Sequence, residues 1–135
     1  MYQNILVPIS FDADRDAKMA LDVARTLCGE GGTITALHVV EHLPEYSSDL
    51  LPENHFEVAK EVIGKKLKPL VEGMQSTHIE IVEGHSGRTI LDFAVSHSAD
   101  CIVIASHRPG LQDYLLGSTA ARVVRHASCS VHVVR

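Results

Sequence analysis

The chain has 135 residues, 45% of them hydrophobic and 21% charged, a balance that fits one globular domain burying a continuous core without disulfide or metal staples. With 17 acidic against 12 basic side chains the formal charge is -5, which argues against a general electrostatic grip on nucleic acid or on an anionic membrane. No apolar run approaches the length of a bilayer-spanning helix. Ile5 to Ile9 is followed at once by Asp12, Asp14, Arg15 and Asp16 rather than by the order of a signal peptide, so a cytoplasmic protein is expected.

Asn4 to Ile9 is a nearly continuous apolar run, suited to a strand buried on both faces, with Pro8 ending its pairing. Ala17, Ala20, Leu21, Ala24, Leu27 and Cys28 then fall at helical spacing, with Asp12 or Asp14 placed to cap the helix and Gly29 to Gly32 to stop it. Thr33 to Val40 is rich in strand formers. Glu41 to Asn54 is polar, holds two prolines and reads as a loop. Phe56, Ala59, Ile63, Leu67, Leu70 and Met74 mark a second amphipathic helix, which Pro69 should kink or end. His78 to Glu83 alternates as a third strand. Ile90, Leu91, Ala94 and Val95 form a third helical stripe with Ser86 as its cap. Asp100 turns the chain into Cys101–Ala105, a buried strand. A loop runs to Gly117, Ser118 to His126 is a short helix with Ala121 and Val124 inward, and Ser130 to Val134 is the last strand.

Strands and helices therefore alternate β-α-β-α-β-α-β-α-β, which predicts a single doubly wound α/β domain over residues 1–135 with right-handed crossovers. Ligands in such sheets sit beyond the carboxyl ends of the strands, where strand order reverses. Those ends are Pro8-Ile9-Ser10, Val40-Glu41 and Ala105-Ser106-His107. Cys28, Cys101 and Cys129 are an odd number, far apart and without a CxxC pair, and read as small buried hydrophobes. The nine histidines show no HxxxH or HExxH spacing, and no metal site is expected.

The stretch from Ala105 to Ser118 carries the chemistry. It begins at a strand end and finishes at a helix start, where Gly117 removes side-chain bulk, Ser118 adds a hydroxyl and the following N–H groups carry the positive end of the helix dipole. His107 and Arg108 place donors in the same loop. The stretch reads either as a phosphate site or as an ordinary connection with Ser118 as N-cap, and Gly117 either as room for a ligand or as a turn with positive φ. No lysine follows the glycine, so this is not a Walker A loop.

Over its whole length the sequence resembles the small single-domain universal stress proteins. The resemblance rests on Ile5-Leu-Val-Pro-Ile9, Leu37-His-Val-Val40, Val82-Glu-Gly84, Asp100-Cys-Ile-Val-Ile-Ala-Ser-His107 and, most specifically, Leu115-Leu-Gly-Ser118 through to Arg135. It implies a flavodoxin-like, adenine-nucleotide-hydrolase-like five-stranded parallel sheet of order 3-2-1-4-5 with four helices. It also implies a homodimer and, in one branch, bound ATP. That branch carries G-x2-G-x9-G-[ST]. Here Ala105 stands at the first glycine, Arg108 near the second, the loop is one residue shorter, and Gly117 and Ser118 match. The aspartate usual two residues after the first-strand proline is replaced by Ser10, with Asp12 nearby. By resemblance, Pro8, Ile9 and Val40 border the adenine, Ala105, His107 and Arg108 lie near ribose and phosphates, and Gly117, Ser118 and Thr119 hold the phosphates, with Ser10 also counted among the nucleotide-binding residues.

The expected function is a stress-response sensor or binding protein for ATP, ADP or AMP, with or without Mg²⁺, paired through Ser130 to Val134 and catalysing at most slow ATP hydrolysis. A dimeric interaction module without nucleotide is the alternative. A flavin protein is a third reading, disfavoured by 4% aromatic residues and no tryptophan to stack on the ring.

Overall fold

The computed structural model describes residues 1–11, 16–42, 50–106 and 116–135. Its elements alternate: β1 (Tyr2–Pro8), α1 (Ala17–Leu27), β2 (Cys28–Glu41), α2 (His55–Val71), β3 (Thr77–Gly84), α3 (Ser86–Ser96), β4 (Cys101–Ala105), α4 (Ser118–His126) and β5 (Ser130–Val134). The strands form one sheet in the order β3-β2-β1-β4-β5, every neighbouring pair parallel, as the resemblance implies.

Both faces of the sheet are covered, which is why the central strands read as unbroken apolar runs. Ile5, Val7, Ile34, Ala36, Cys101 and Val103 face α1 and α2, where Ala20, Leu21, Ala24 and Leu67 meet them. Leu6, Leu37, Val39, Ile102 and Ile104 face α3 and α4 and pack on Ile90, Ala94, Ala120 and Val123. The β1–β2 ladder runs up to Pro8↔Leu37, whereas β1 and β4 register at Ile5↔Cys101 and Leu6↔Ile102. Past Leu6 those two strands share no further register pair among the described residues, so a crevice opens between their carboxyl ends.

Several local expectations shift. Asp16 caps α1, its Oδ1 accepting from Met19 N at 2.8 Å; Asp12 and Asp14 lie outside the described residues. β2 starts at Cys28, five residues before the expected Thr33, and absorbs the glycines read as a helix stop. A side chain at Gly32 would meet Gln3 Cα at 3.1 Å, so the glycine lets β1 and β2 approach closely. Pro69 lies in the last turn of α2, which ends at Val71, leaving Met74 outside the helix. In α3, Ile90 and Ala94 are buried while Val95 is 68% exposed; in α4, Ala120 and Val123 face inward and Val124 is 44% exposed, one residue out from the predicted stripe. Cys101 is buried and Cys28 and Cys129 half-buried. Burial, reinforced by Cys129 and Asp100, pushes the Cys101 thiol up to about 11, which fits an inert core residue.

Candidate functional site

A cleft of about 400 Å³ opens at the carboxyl ends of β1, β2 and β4. Its walls are Pro8 and Ile9 from the end of β1, Leu37, Val39 and Val40 from β2, Ile104 and Ala105 from β4, with Ile90 of α3 and Ala17 of α1 at the sides. Aliphatic side chains thus line its strand-end walls, as in many small-molecule clefts. Ser10, His38, Glu41, Ser86 and Thr119 add polar groups around it.

The exit of β1 is held on both backbone sides. Ile9 N donates to Leu37 O at 2.7 Å, and Ile9 O lies 2.7 Å from His38 Nδ1. A carbonyl only accepts, so Nδ1 carries the proton there. Phe11 packs against the His38 ring with centroids 5.3 Å apart, and Lys66 Nζ stands 5.4 Å over the Phe11 ring. Pro8 and Ile9 are thereby fixed as a rigid lip.

The opposite rim is built by Glu41, the last residue of β2, which registers with Gly84 of β3. Glu41 Oε1 accepts from Ser86 N at 3.1 Å and from the Ser86 hydroxyl. His85, not Ser86, is the N-cap residue of α3 and makes no side-chain cap bond; the Glu41 carboxylate supplies that function from another strand. Beside it, His42 Nδ1 stands 3.0 Å from Glu83 Oε1, and His55 Nε2 lies 3.8 Å from Glu83 Oε2. Among the described residues no group of three His, Cys, Asp or Glu side chains is arranged to hold a metal ion.

The third polar element is the start of α4. Gly117 is its N-cap at φ -61°, ψ 159°, and among the described residues no side chain accepts from its opening N–H groups. That backbone conformation is open to any residue, so the positive-φ reading of Gly117 is wrong. Gly117 O accepts from Ala121 N at 2.8 Å, the first helical bond, while the N–H groups of the opening turn have no partner within the helix. Thr119 turns from this turn into the cleft. At the end of β4, Ser106 is 1% exposed, its N–H donates to Val134 O at 2.9 Å, and among the described residues its hydroxyl has no hydrogen-bond partner. A buried hydroxyl in that state calls for a water or a ligand group.

Of the residues singled out from sequence, Pro8, Ile9, Ser10, Val40, Ala105 and Thr119 line the cleft together. Gly117 and Ser118 open α4 beside it, Ser118 as the first helical residue rather than the cap. His107, Arg108 and Asp12 lie outside the described residues. Sequence reasoning missed Glu41 and Ser86 as a joined rim, and His38 as the anchor of Ile9. The available signal was that Ser10, Glu41 and Ser106 are each the first polar residue after an apolar strand end.

The family model of the universal stress protein family matches residues 1–135. Universal stress protein MJ0531 of Methanocaldococcus jannaschii is 33% identical over 147 aligned positions, covering 100% of this chain and 83% of that protein. The solved structure of universal stress protein UspA from Lactobacillus plantarum superposes with a TM-score of 0.74 at 28% identity, over 99% of this chain and 98% of that one. A universal stress protein from Archaeoglobus fulgidus, solved in complex with dAMP, superposes with a TM-score of 0.67 at 20% identity, over 99% of this chain and 98% of the other, and shares the fold.

Proposed function

The chain belongs to the universal stress protein family, and we propose that it binds an adenine nucleotide, ATP, ADP or AMP, in the cleft at the ends of β1, β2 and β4. The observation that carries this reading is a cleft, aliphatic along the strand ends and polar around them, that reaches the opening turn of α4 at Thr119. Ile9 and Val40 offer apolar surface for the base, and the opening turn of α4 offers N–H donors for phosphate. The buried Ser106 hydroxyl at the end of β4, without a partner among the described residues, and the dAMP bound by a protein of the same fold support it. Arg108 would add a forked donor to the phosphates, and Mg²⁺ would enter with the nucleotide. The role is to bind or sense in a stress response, in the cytoplasm. Among the described residues no helix is long and apolar enough to cross a membrane.

Melting with and without ligand tests the reading. A nucleotide at a hundredfold excess over its Kd stabilises a native state by about 2.7 kcal/mol. At ~2.1 cal/mol/K per residue, 135 residues turn that into a rise of roughly 9 °C. No rise with ATP, ADP or AMP, with or without Mg²⁺, would leave a nucleotide-free interaction module as the better account. Arg108→Ala should weaken ATP far more than adenosine; equal effects would remove Arg108 from the phosphate site.

The same reading includes a homodimer through β5. This strand pairs with β4 along Cys101↔Ser130 to Ala105↔Val134 and, among the described residues, has no neighbour on its other side in the sheet. Pairing with a second copy would cover that edge.

A further inference from the structure

The cleft touches two helix starts, α3 through Ser86 and α4 through Thr119, and the two are not equivalent. Each helix start favours an anion. At α3 the chain supplies its own, because Glu41 Oε1 already accepts from Ser86 N at 3.1 Å and from the Ser86 hydroxyl. At α4 no side chain among the described residues accepts from the opening N–H groups. A phosphate is therefore favoured at α4 and repelled at α3.

The second oxygen of Glu41 still has acceptor capacity. Oε2 is 3.9 Å from His85 Nδ1, beyond hydrogen-bond distance, and the Glu41 side chain is 58% exposed at the rim. A carboxylate takes only donors. On an adenine nucleotide the donors are the ribose hydroxyls and the 6-amino group of the base. Successive strand residues point to opposite faces of a sheet. Val40 accordingly packs with the α1–α2 core, and Glu41 turns to α3 on the other face. α4 shares that second face with α3. The ribose, which joins a base lying over the strand ends to a phosphate at α4, is the part of the ligand that crosses to the side of Glu41.

We propose that Glu41 is a specificity-determining residue whose carboxylate, fixed by Ser86, accepts from the 2′,3′-diol of the ribose and so orients the nucleotide with its phosphate toward α4. This rests on the nucleotide reading above and extends it to the sugar. The same carboxylate makes the α3 side of the cleft unfavourable for phosphate.

Calorimetric titration of the full chain with AMP, its 2′,3′-dideoxy analogue and inosine monophosphate tests it, on the wild type and on Glu41→Gln. In the wild type the dideoxy analogue should bind about tenfold or more weakly than AMP, the scale of a lost hydrogen bond to a charged acceptor, while inosine monophosphate stays within about threefold of AMP. In Glu41→Gln the gap between AMP and the dideoxy analogue should shrink to about threefold or less. The wild-type ligand series needs no variant, so a misfolded Glu41→Gln would not shelter the proposal. Equal wild-type affinities for AMP and the dideoxy analogue overturn it, as does a gap that survives Glu41→Gln. A larger loss with inosine monophosphate than with the dideoxy analogue also overturns it, placing the 6-amino group at Glu41 instead. A wild type that binds AMP, ADP and ATP without regard to the diol sinks this inference alone; one that binds none of them sinks the nucleotide reading with it.

Discussion

Asp100→Ala should loosen the end of the sheet remote from the cleft while leaving the cleft intact. The Asp100 carboxylate accepts from two backbone N–H groups of β1, Gln3 N at 2.8 Å and Asn4 N at 3.0 Å. Asp100 N donates in turn to Asn4 O at 2.9 Å. Asn4 Nδ2 reaches His97 O at 2.6 Å and Ser98 O at 3.1 Å, tying β1 to the turn after α3. This clasp sits where the β1–β2 register shifts between Tyr2 and Asn4 and just before the β1–β4 pairing starts at Ile5. Without the carboxylate, the exposed Gln3 N–H regains water, at a cost of about 0.5–1 kcal/mol, and the part-buried Asn4 N–H loses about 1–2 kcal/mol. The sum, roughly 1.5–3 kcal/mol, corresponds to a fall in Tm of about 5–11 °C for 135 residues. Urea unfolding should show a lower midpoint at unchanged m-value. Asp100→Asn keeps one acceptor and should lose about half as much. Nucleotide affinity, measured well below the new Tm, should not change. A loss under about 0.5 kcal/mol for Asp100→Ala would mean the bonds are replaced by water at no cost and the clasp does not hold β1. A drop in affinity at full folding would mean the two ends of β1 are coupled.

Gly117→Val should abolish ATP binding and leave the domain folded, because φ -61° costs valine nothing while its methyls stand over the N–H groups that open α4; wild-type affinity in calorimetry would move the phosphate site elsewhere. Cys101 should be the last of the three thiols alkylated by iodoacetamide at pH 8, read by peptide mass spectrometry, since its buried thiol stays protonated until pH approaches about 11. The linkage has one sign: the folded value lies above the unfolded one, so this contribution to stability is whole below about pH 9 and is lost as pH rises toward 11; labelling of Cys101 as fast as Cys28 would contradict its burial. Light scattering at micromolar concentration should report twice the 14.7 kDa chain mass, and a clean monomer would remove the β5 interface.

The order of elements was legible because each apolar run is short and followed by a different period. Registers within elements were less so, for a specific reason. α3 and α4 carry adjacent apolar doublets, Ile90-Leu91, Ala94-Val95, Ala120-Ala121 and Val123-Val124, and either member of each doublet satisfies helical spacing. In α4, 9 residues long, no further turn breaks the tie. The sheet breaks it, by admitting Ala120 and Val123 against Ile102 and Ile104 and leaving Val124 outside. The glycines at 29–32 likewise look like punctuation until Gln3 is seen pressed against Gly32, a contact across the β1–β2 ladder that no local window contains.

The site divides along the same line. Its strand-end residues followed from the alternation of elements together with the strand order that the resemblance implies, since a parallel sheet that reverses its order beside β1 must open there. Its polar rim depends on pairs far apart in the chain: His38 and Ile9 are 29 positions apart, Ser86 and Glu41 are 45 apart. Yet both pairings have a cause visible in composition. Burial on two faces makes a strand apolar throughout, and it stops being apolar where cover ends. Ser10, Glu41 and Ser106 each mark that point on β1, β2 and β4. Two of the three, Ser10 and Glu41, line the cleft, and the third carries the buried hydroxyl without a partner among the described residues. On β1 and β2 the polar residue that ends the strand is thus set at the cleft by the same packing that made the strand, which is why the candidate site was legible at the strand ends before its rim could be joined across the chain.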